Sequence, residues 1–106
     1  MNRLISLTAS LAFALIATNA ANAGETRVTI ENYAFSPAEL RVKAGERVVF
    51  VNKDESPHNV VDGKGAFRSP ALDANESFGK VFDRPGEIVY FCGLHPQMKG
   101  RIVVTP

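Results

Sequence analysis

The chain has 106 residues, with 12 basic and 11 acidic side chains interspersed along the sequence. This length suits one small globular domain, and the sequence has no basic tract of the kind that binds nucleic acid. Charge alone therefore indicates no partner.

The first residues predict a secretory signal peptide. Arg3 precedes an apolar stretch from Leu4 to Ala17, which is followed by the small-residue motif Ala21-Asn22-Ala23. Because about 20 apolar residues are needed to cross a bilayer, this stretch is too short for a membrane span. We therefore expect residues 1–23 to be removed and residues 24–106 to form one exported domain. An uncleaved anchor helix is the alternative.

Short apolar runs separated by turn residues predict an all-β domain after the signal peptide. The seven predicted strands are Arg27 to Glu31, Leu40 to Val42, Arg47 to Asn52, Asn59 to Val61, Ser77 to Phe82, Glu87 to Phe91 and Arg101 to Thr105. Seven strands without a long helix favour a β-sandwich.

Alternation of apolar and polar residues within these strands predicts the core. The candidates are Val28, Ile30, Val42, Val49, Val51, Phe82, Ile88, Tyr90, Ile102 and Val104. Residues 48–51 are apolar on both faces of their strand, so alternation does not show which of them point inward. Residues 62–74 and 93–100 lack strand features, and we predict that they form loops.

A lone cysteine is unusual in an exported domain, where cysteines are normally paired in disulfides. Cys92 begins a segment in which a thiol, an imidazole and a thioether follow at three-residue intervals, at Cys92, His95 and Met98. The other histidine of the chain, His58, precedes a predicted strand. These residues form a candidate set of four metal donors.

Each donor also has an explanation that involves no metal. Cys92 is compatible with an inert buried thiol and Met98 with core packing. His58 could cap a turn, and His95 could be an ordinary loop residue. The combination matches copper, because an ion that alternates between Cu(II) and Cu(I) is suited by one thiolate, two imidazoles and a weak axial thioether.

Three segments of the mature chain are distinctive: residues 33–39 (Tyr33-Ala34-Phe35-Ser36-Pro37-Ala38-Glu39), residues 57–61 (Pro57-His58-Asn59-Val60-Val61) and the pattern Cys92-x-x-His95-x-x-Met98. Together they resemble the cupredoxin family and, within it, the amicyanins. The last pattern is the most specific, since plastocyanins and pseudoazurins have more residues between the second histidine and the methionine. The resemblance implies a Greek-key β-sandwich with one type 1 (blue) copper ion at one end, bound by His58, Cys92, His95 and Met98.

The resemblance also implies electron transfer between redox proteins, since amicyanins pass electrons from methylamine dehydrogenase to a c-type cytochrome. We expect a periplasmic monomer. We also expect that it is not an enzyme, because four protein donors leave no coordination position open to a substrate. A copper carrier or store is the alternative. Such proteins commonly expose methionine or histidine clusters, whereas this chain has Met98 alone besides Met1.

One departure from the family pattern follows the cysteine. Many relatives have a hydroxyl side chain there, which bonds to the asparagine after the first histidine, but this chain has Gly93. We expect that link to be missing or replaced, while the backbone N–H of Asn59 bonds to the Cys92 sulfur. Loss of such a contact can change ligand orientation and reduction potential without abolishing metal binding.

Of the two histidines, His58 is expected to be buried and His95 to lie near the surface. Leu94 and Pro96 flank His95 and would form an apolar patch around it, although ordinary loop packing is the alternative. Candidate neighbours in that patch are Phe35, Pro37 and Phe67.

Overall fold

The computed structural model describes residues 25–106, so the predicted signal peptide and its cleavage site lie outside the described residues. Eight strands occur in this range: β1 (Glu25–Glu31), β2 (Ala34–Ser36), β3 (Glu39–Lys43), β4 (Glu46–Asn52), β5 (Val61–Asp62), β6 (Ser77–Phe82), β7 (Gly86–Cys92) and β8 (His95–Thr105). Between residues 25 and 106, no helix has the length and apolar character needed to cross a membrane.

The strands form two four-stranded sheets, with the orders β2-β1-β4-β6 and β3-β8-β7-β5. Neighbours β1 and β4 are parallel, as are β3 and β8, and the other neighbouring pairs are antiparallel. The predicted all-β, Greek-key sandwich is confirmed. It has eight strands instead of about seven, because residues 34–36 add a short strand beside β1.

The core between the sheets contains most of the predicted residues. Buried as predicted are Val28, Ile30, Val42, Val51, Phe82, Tyr90, Ile102 and Val104. In β4, however, Val48 and Phe50 are buried and Val49 is only half-buried. The register explains this, since Phe50 pairs with the buried Val28 and so shares its inward face. Ile88 is also half-buried and packs on the edge of the core.

The prediction of a loop over residues 93–100 is wrong for most of that segment. Strand β8 begins at His95, and its residues Lys99 and Gly100 pair with Phe91 and Tyr90 of β7. The ladder shifts register between Phe91 and Cys92, and Pro96 lies in the irregular stretch, where a residue without an N–H breaks no regular pairing. The turn residues of this segment therefore mark a bulge inside a hairpin.

The predicted strand over residues 59–61 is also displaced. Only Val61–Asp62 forms a regular strand, β5, which pairs with β7. His58 instead forms an isolated bridge with Leu72. The next residue, Asn59, donates its N–H to Cys92 Sγ and so places this connection alongside the β7–β8 hairpin of the second sheet.

Candidate metal centre

Two donors lie opposite each other in the β7–β8 hairpin. Cys92 ends β7 and His95 begins β8, and the two residues are paired across a turn of only two residues, Gly93 and Leu94. The Cys92 Sγ lies 3.9 Å from His95 Nδ1. Side chains that extend from directly opposed positions are close neighbours, so the hairpin itself brings this thiol and imidazole together.

The third donor comes from the connection between β4 and β5. The backbone of His58 donates to the Leu72 carbonyl at 3.1 Å and accepts from the Leu72 N–H at 2.7 Å. These bonds fix the residue with its side chain fully buried and its Nδ1 at 3.7 Å from Cys92 Sγ. The donor atoms of His58, Cys92 and His95 all lie within 4.8 Å of one another.

Met98 follows three residues after His95 in β8 and is 3% exposed. With His58, Cys92 and His95 it forms a cluster at one end of the sandwich. The structure therefore brings all four predicted donors to one site.

A carboxylate orients the His58 ring. Asp54 Oδ2 lies 2.8 Å from His58 Nε2. The carboxylate accepts a hydrogen bond from the Nε2–H, which leaves the Nδ1 lone pair directed toward the Cys92 sulfur. Burial raises the pKa of Asp54, but hydrogen bonds from the Tyr33 and Asn32 amides and from His58 outweigh it, so the pKa is lowered. The group is therefore an anion that favours positive charge at the site.

Backbone hydrogen bonds connect the two donor-bearing segments. The N–H of Asn59 donates to Cys92 Sγ at 3.4 Å, as predicted. The N–H of Gly93 donates to Asn59 Oδ1 at 2.6 Å, so a backbone amide replaces the hydroxyl link expected from relatives. The sulfur is fully buried and receives a hydrogen bond, which are two properties that tune the potential of a copper–thiolate centre.

His95 forms the more open side of the cluster. It is half-buried, next to Leu94, which is 49% exposed, and Pro96, which is also exposed. Neither phenylalanine predicted as a neighbour packs there. Phe35 is buried with its ring against Tyr90, and Phe67 packs on two other phenylalanines, Phe78 and Phe82.

Sequence reasoning missed two residues beside the cluster, Asp54 and Tyr33. The Tyr33 ring lies edge-on to His58 and to His95, with 5.0 Å between ring centroids in both pairs. Tyr33 is the first residue of segment 33–39, one of the three that carry the family resemblance. Its place in that segment was the one sequence feature that could have drawn attention to it. Asp54 precedes His58 by four residues in a segment that has no regular strand, so no periodicity predicts its contact.

The residue types fit a copper ion. Nitrogen and sulfur donors bind first-row metals at about 2.0–2.3 Å, so donors 3.7 and 3.9 Å apart can share one ion. One thiolate and two imidazoles with a nearby thioether are the donors of a type 1 copper site. A hard cation such as Mg²⁺ or Ca²⁺ would require oxygen donors instead.

Comparison with known proteins agrees with this reading of the site. The sequence-family model of the cupredoxin-like domain matches residues 4–104. The chain therefore belongs to the cupredoxin family. Within that family it is similar to amicyanins: the Amicyanin-alpha of Methylorubrum extorquens is 41% identical over 105 residues, covering 93% of this chain and 88% of that protein. The solved amicyanin of Paracoccus versutus is 34% identical with a TM-score of 0.72, covering 77% of this chain and 82% of that one.

A plastocyanin is also related. The chloroplastic plastocyanin of Physcomitrium patens is 33% identical, covering 93% of this chain and 67% of that protein. The similarity thus extends over two groups of blue copper proteins. One solved neighbour, 31% identical with a TM-score of 0.72, is the Cu(I) form of an amicyanin variant and covers 76% of this chain and 82% of its own.

Proposed function

We propose that this protein carries single electrons on one copper ion bound by His58, Cys92, His95 and Met98. The observation that supports this most directly is the close approach of a buried thiol and two imidazoles, within 4.8 Å, on a rigid β-framework. When bound there, copper supplies a one-electron couple between Cu(II) and Cu(I).

The surrounding residues keep the donors in place. The Cys92 and His95 backbones are paired in a hairpin, His58 is bonded to Leu72, and its ring is bonded to Asp54. Donors held in this way move little when the charge of the centre changes, which is the property that rapid electron transfer requires. Half-buried His95 is the proposed point of electron exit.

Two rival functions fit less well. An oxidase or reductase needs an open coordination position, and four protein donors leave none. A copper carrier is expected to release its metal readily, whereas three of the four donors here are buried. We therefore propose a carrier of electrons that is not an enzyme.

The sequence and the family support a proposal for the location and the partners. The signal-peptide pattern supports export to the periplasm after cleavage behind Ala23. We propose that residues 24–106 then act as a monomer. Similarity to amicyanins supports a dehydrogenase such as methylamine dehydrogenase as the electron donor and a c-type cytochrome as the acceptor.

A visible spectrum of the copper-loaded protein tests the site. The wild type should show an intense band toward the red end of the visible range, and Cys92→Ser should abolish it. Leu94→Ala, in the same turn but without a donor atom, should retain it. An intense band in copper-loaded Cys92→Ser would exclude the thiolate assignment.

Stopped-flow mixing with a c-type cytochrome tests the function. The reduced protein should transfer one electron per copper, and the copper content should be unchanged after repeated cycles. A protein that lost copper to a chelator faster than it exchanged electrons would be a metal carrier.

A further inference from the structure

Tyr33 is half exposed, at 50%, yet its ring has a defined position over the metal centre. Its plane is nearly perpendicular to the His58 ring (89°) and to the His95 ring (87°). The two histidine rings are also 5.0 Å apart, so the three ring centroids form a triangle with equal sides. Edge-to-face packing at this distance is an attractive geometry for aromatic rings.

The backbone beneath this ring is held in an unusual conformation. Asn32 and Tyr33 both have positive φ, at 56° and 58°. Residues other than glycine rarely adopt this left-handed region, and a bulky residue such as tyrosine adopts it least readily. The two residues form the turn of the β1–β2 hairpin, and a two-residue turn of type I′ has positive φ at both positions.

Asp54 binds the backbone of this turn with both carboxylate oxygens. The Asn32 N–H donates to Asp54 Oδ1 at 2.7 Å, and the Tyr33 N–H donates to Oδ2 at 2.9 Å. The second of these oxygens also binds His58 Nε2. One carboxylate therefore fixes both the turn that carries Tyr33 and the ring of a proposed copper ligand.

Asp54 is itself anchored to the core. Its N–H donates to Asn52 Oδ1 at 2.9 Å. The fully buried Asn52 donates through Nδ2 to the carbonyls of Leu72, at 2.8 Å, and Ser56, at 3.0 Å. Because Leu72 is also the bridge partner of His58, this network ends on the backbone that holds the ligand.

We propose that Tyr33 is a positioning residue of the metal centre, whose ring fixes the planes of His58 and His95 and whose own position is set by Asp54. This inference rests on the proposed function, because it assigns those two histidines to the metal. The ring, and not the hydroxyl, is the active part: among residues 25–106 no hydrogen bond joins the Tyr33 hydroxyl to another side chain or to the backbone.

Three substitutions separate the ring from the bulk and from the hydroxyl. Tyr33→Phe keeps the ring, Tyr33→Leu keeps apolar bulk without a ring, and Tyr33→Ala removes both. Val89→Ala is the control, because Val89 is 49% exposed in β7 and so matches Tyr33 in exposure. Tyr33 is not part of the buried core, so all three variants should fold.

Copper affinity and the EPR spectrum of the Cu(II) form are the first measurements. Tyr33→Leu and Tyr33→Ala should lower copper affinity roughly 10-fold, the lower end of the 10–100-fold loss typical when a contact that orients a ligand is removed. They should also alter the copper hyperfine splitting, while Tyr33→Phe and Val89→Ala match the wild type. Wild-type affinity and spectrum in Tyr33→Ala would overturn the proposal.

NMR of the metal-free protein provides a readout that does not depend on copper. The wild type should show contacts between the Tyr33 ring protons and the ring protons of His58 and His95. Asp54→Ala should abolish them by releasing the turn, and adding Tyr33→Ala to Asp54→Ala should then reduce copper affinity less than 10-fold further. Persistence of these contacts in Asp54→Ala would overturn the role given to that carboxylate.

Failure of this inference is distinguishable from failure of the proposed function. A wild-type protein that binds copper without an intense visible band would contradict the type 1 site itself. A blue wild type whose Tyr33→Ala variant is indistinguishable from it would contradict only the role of Tyr33.

Discussion

Gly93 lies where the Cys92 turn meets the segment after His58. A Cβ atom at this position would lie 3.2 Å from Asn59 Oδ1, 3.3 Å from Val61 Cγ2 and 3.4 Å from Arg68 Nη1. These contacts are close, but small shifts of the neighbouring atoms can relieve them. A shift of Asn59 would affect the metal site, because the N–H of this residue also donates to the Cys92 sulfur.

We predict that Gly93→Ala lowers the reduction potential with little change in stability. The added methyl displaces Asn59 and weakens its hydrogen bond to sulfur, which makes the thiolate a stronger donor to Cu(II). Contact strain is offset by the lower entropy of the unfolded chain, about 0.4–1 kcal/mol for a glycine to alanine change. Voltammetry and urea unfolding measure the two effects, and an unchanged potential would contradict the prediction.

The proposed axial donor gives a second prediction at this scale. Met98→Gln replaces a soft sulfur by a hard oxygen, which favours Cu(II), so the potential should fall while copper remains bound. A tenfold change in relative affinity corresponds to about 59 mV for one electron, and we expect a decrease of at least that size. Met98→Leu, which has no donor atom, should raise the potential, and equal potentials in all three proteins would assign Met98 to the core alone.

Among the elements, the β7–β8 hairpin is pressed against the core by Tyr90. The Tyr90 ring packs edge-on to Phe35 and Phe50, with centroid distances of 4.8 and 5.4 Å. It also covers Gly100 of β8, where a Cβ atom would lie 2.3 Å from the Tyr90 ring and hydroxyl. Burial raises the pKa of Tyr90, so the hydroxyl stays protonated.

We predict that Gly100→Ala destabilises the protein by about 1–3 kcal/mol, because the rigid Tyr90 ring cannot move without overpacking the core. Gly79→Ala in β6 is a matched control. The three atoms nearest to a Cβ there all belong to the guanidinium of Arg47, the end of a flexible side chain that can rotate away. Urea unfolding compares the two variants, and equal losses of stability would show that Tyr90 is not the cause.

The elements also show how far the sequence predicts this structure. Strands such as β1 were predictable because each buries alternate residues, whereas the inward face of β4 depended on its register with β1. The donors could be predicted from residue type and spacing. The contacts of Tyr33 could not, since they depend on a turn held by Asp54, 21 residues away.

At the scale of the whole molecule, the metal centre joins the two sheets. His58 follows β4 of the first sheet, and the other three proposed donors belong to the hairpin of the second. A metal bound to the folded protein but not to the unfolded chain stabilises the native state.

We therefore predict that copper raises the midpoint of thermal unfolding. Free copper at 100 times its dissociation constant contributes about 2.7 kcal/mol, which for a domain of this size is ~10–20 °C at about 4–8 °C per kcal/mol. In Cys92→Ser, copper should raise the midpoint much less than in the wild type. Without metal, the midpoints of the variant and the wild type should be similar. Equal midpoints for metal-free and copper-loaded wild type would contradict preferential binding of copper to the folded protein.

Strand β8 lies inside its sheet, between β3 and β7, although it is the last strand in the sequence. The second sheet therefore cannot close until this final segment has been synthesised, because β3 has no partner before then. The parallel pairing of β3 with β8 is also distant in sequence, and contacts of this kind form slowly during folding. We expect a nascent chain to leave this sheet open until β8 has been synthesised.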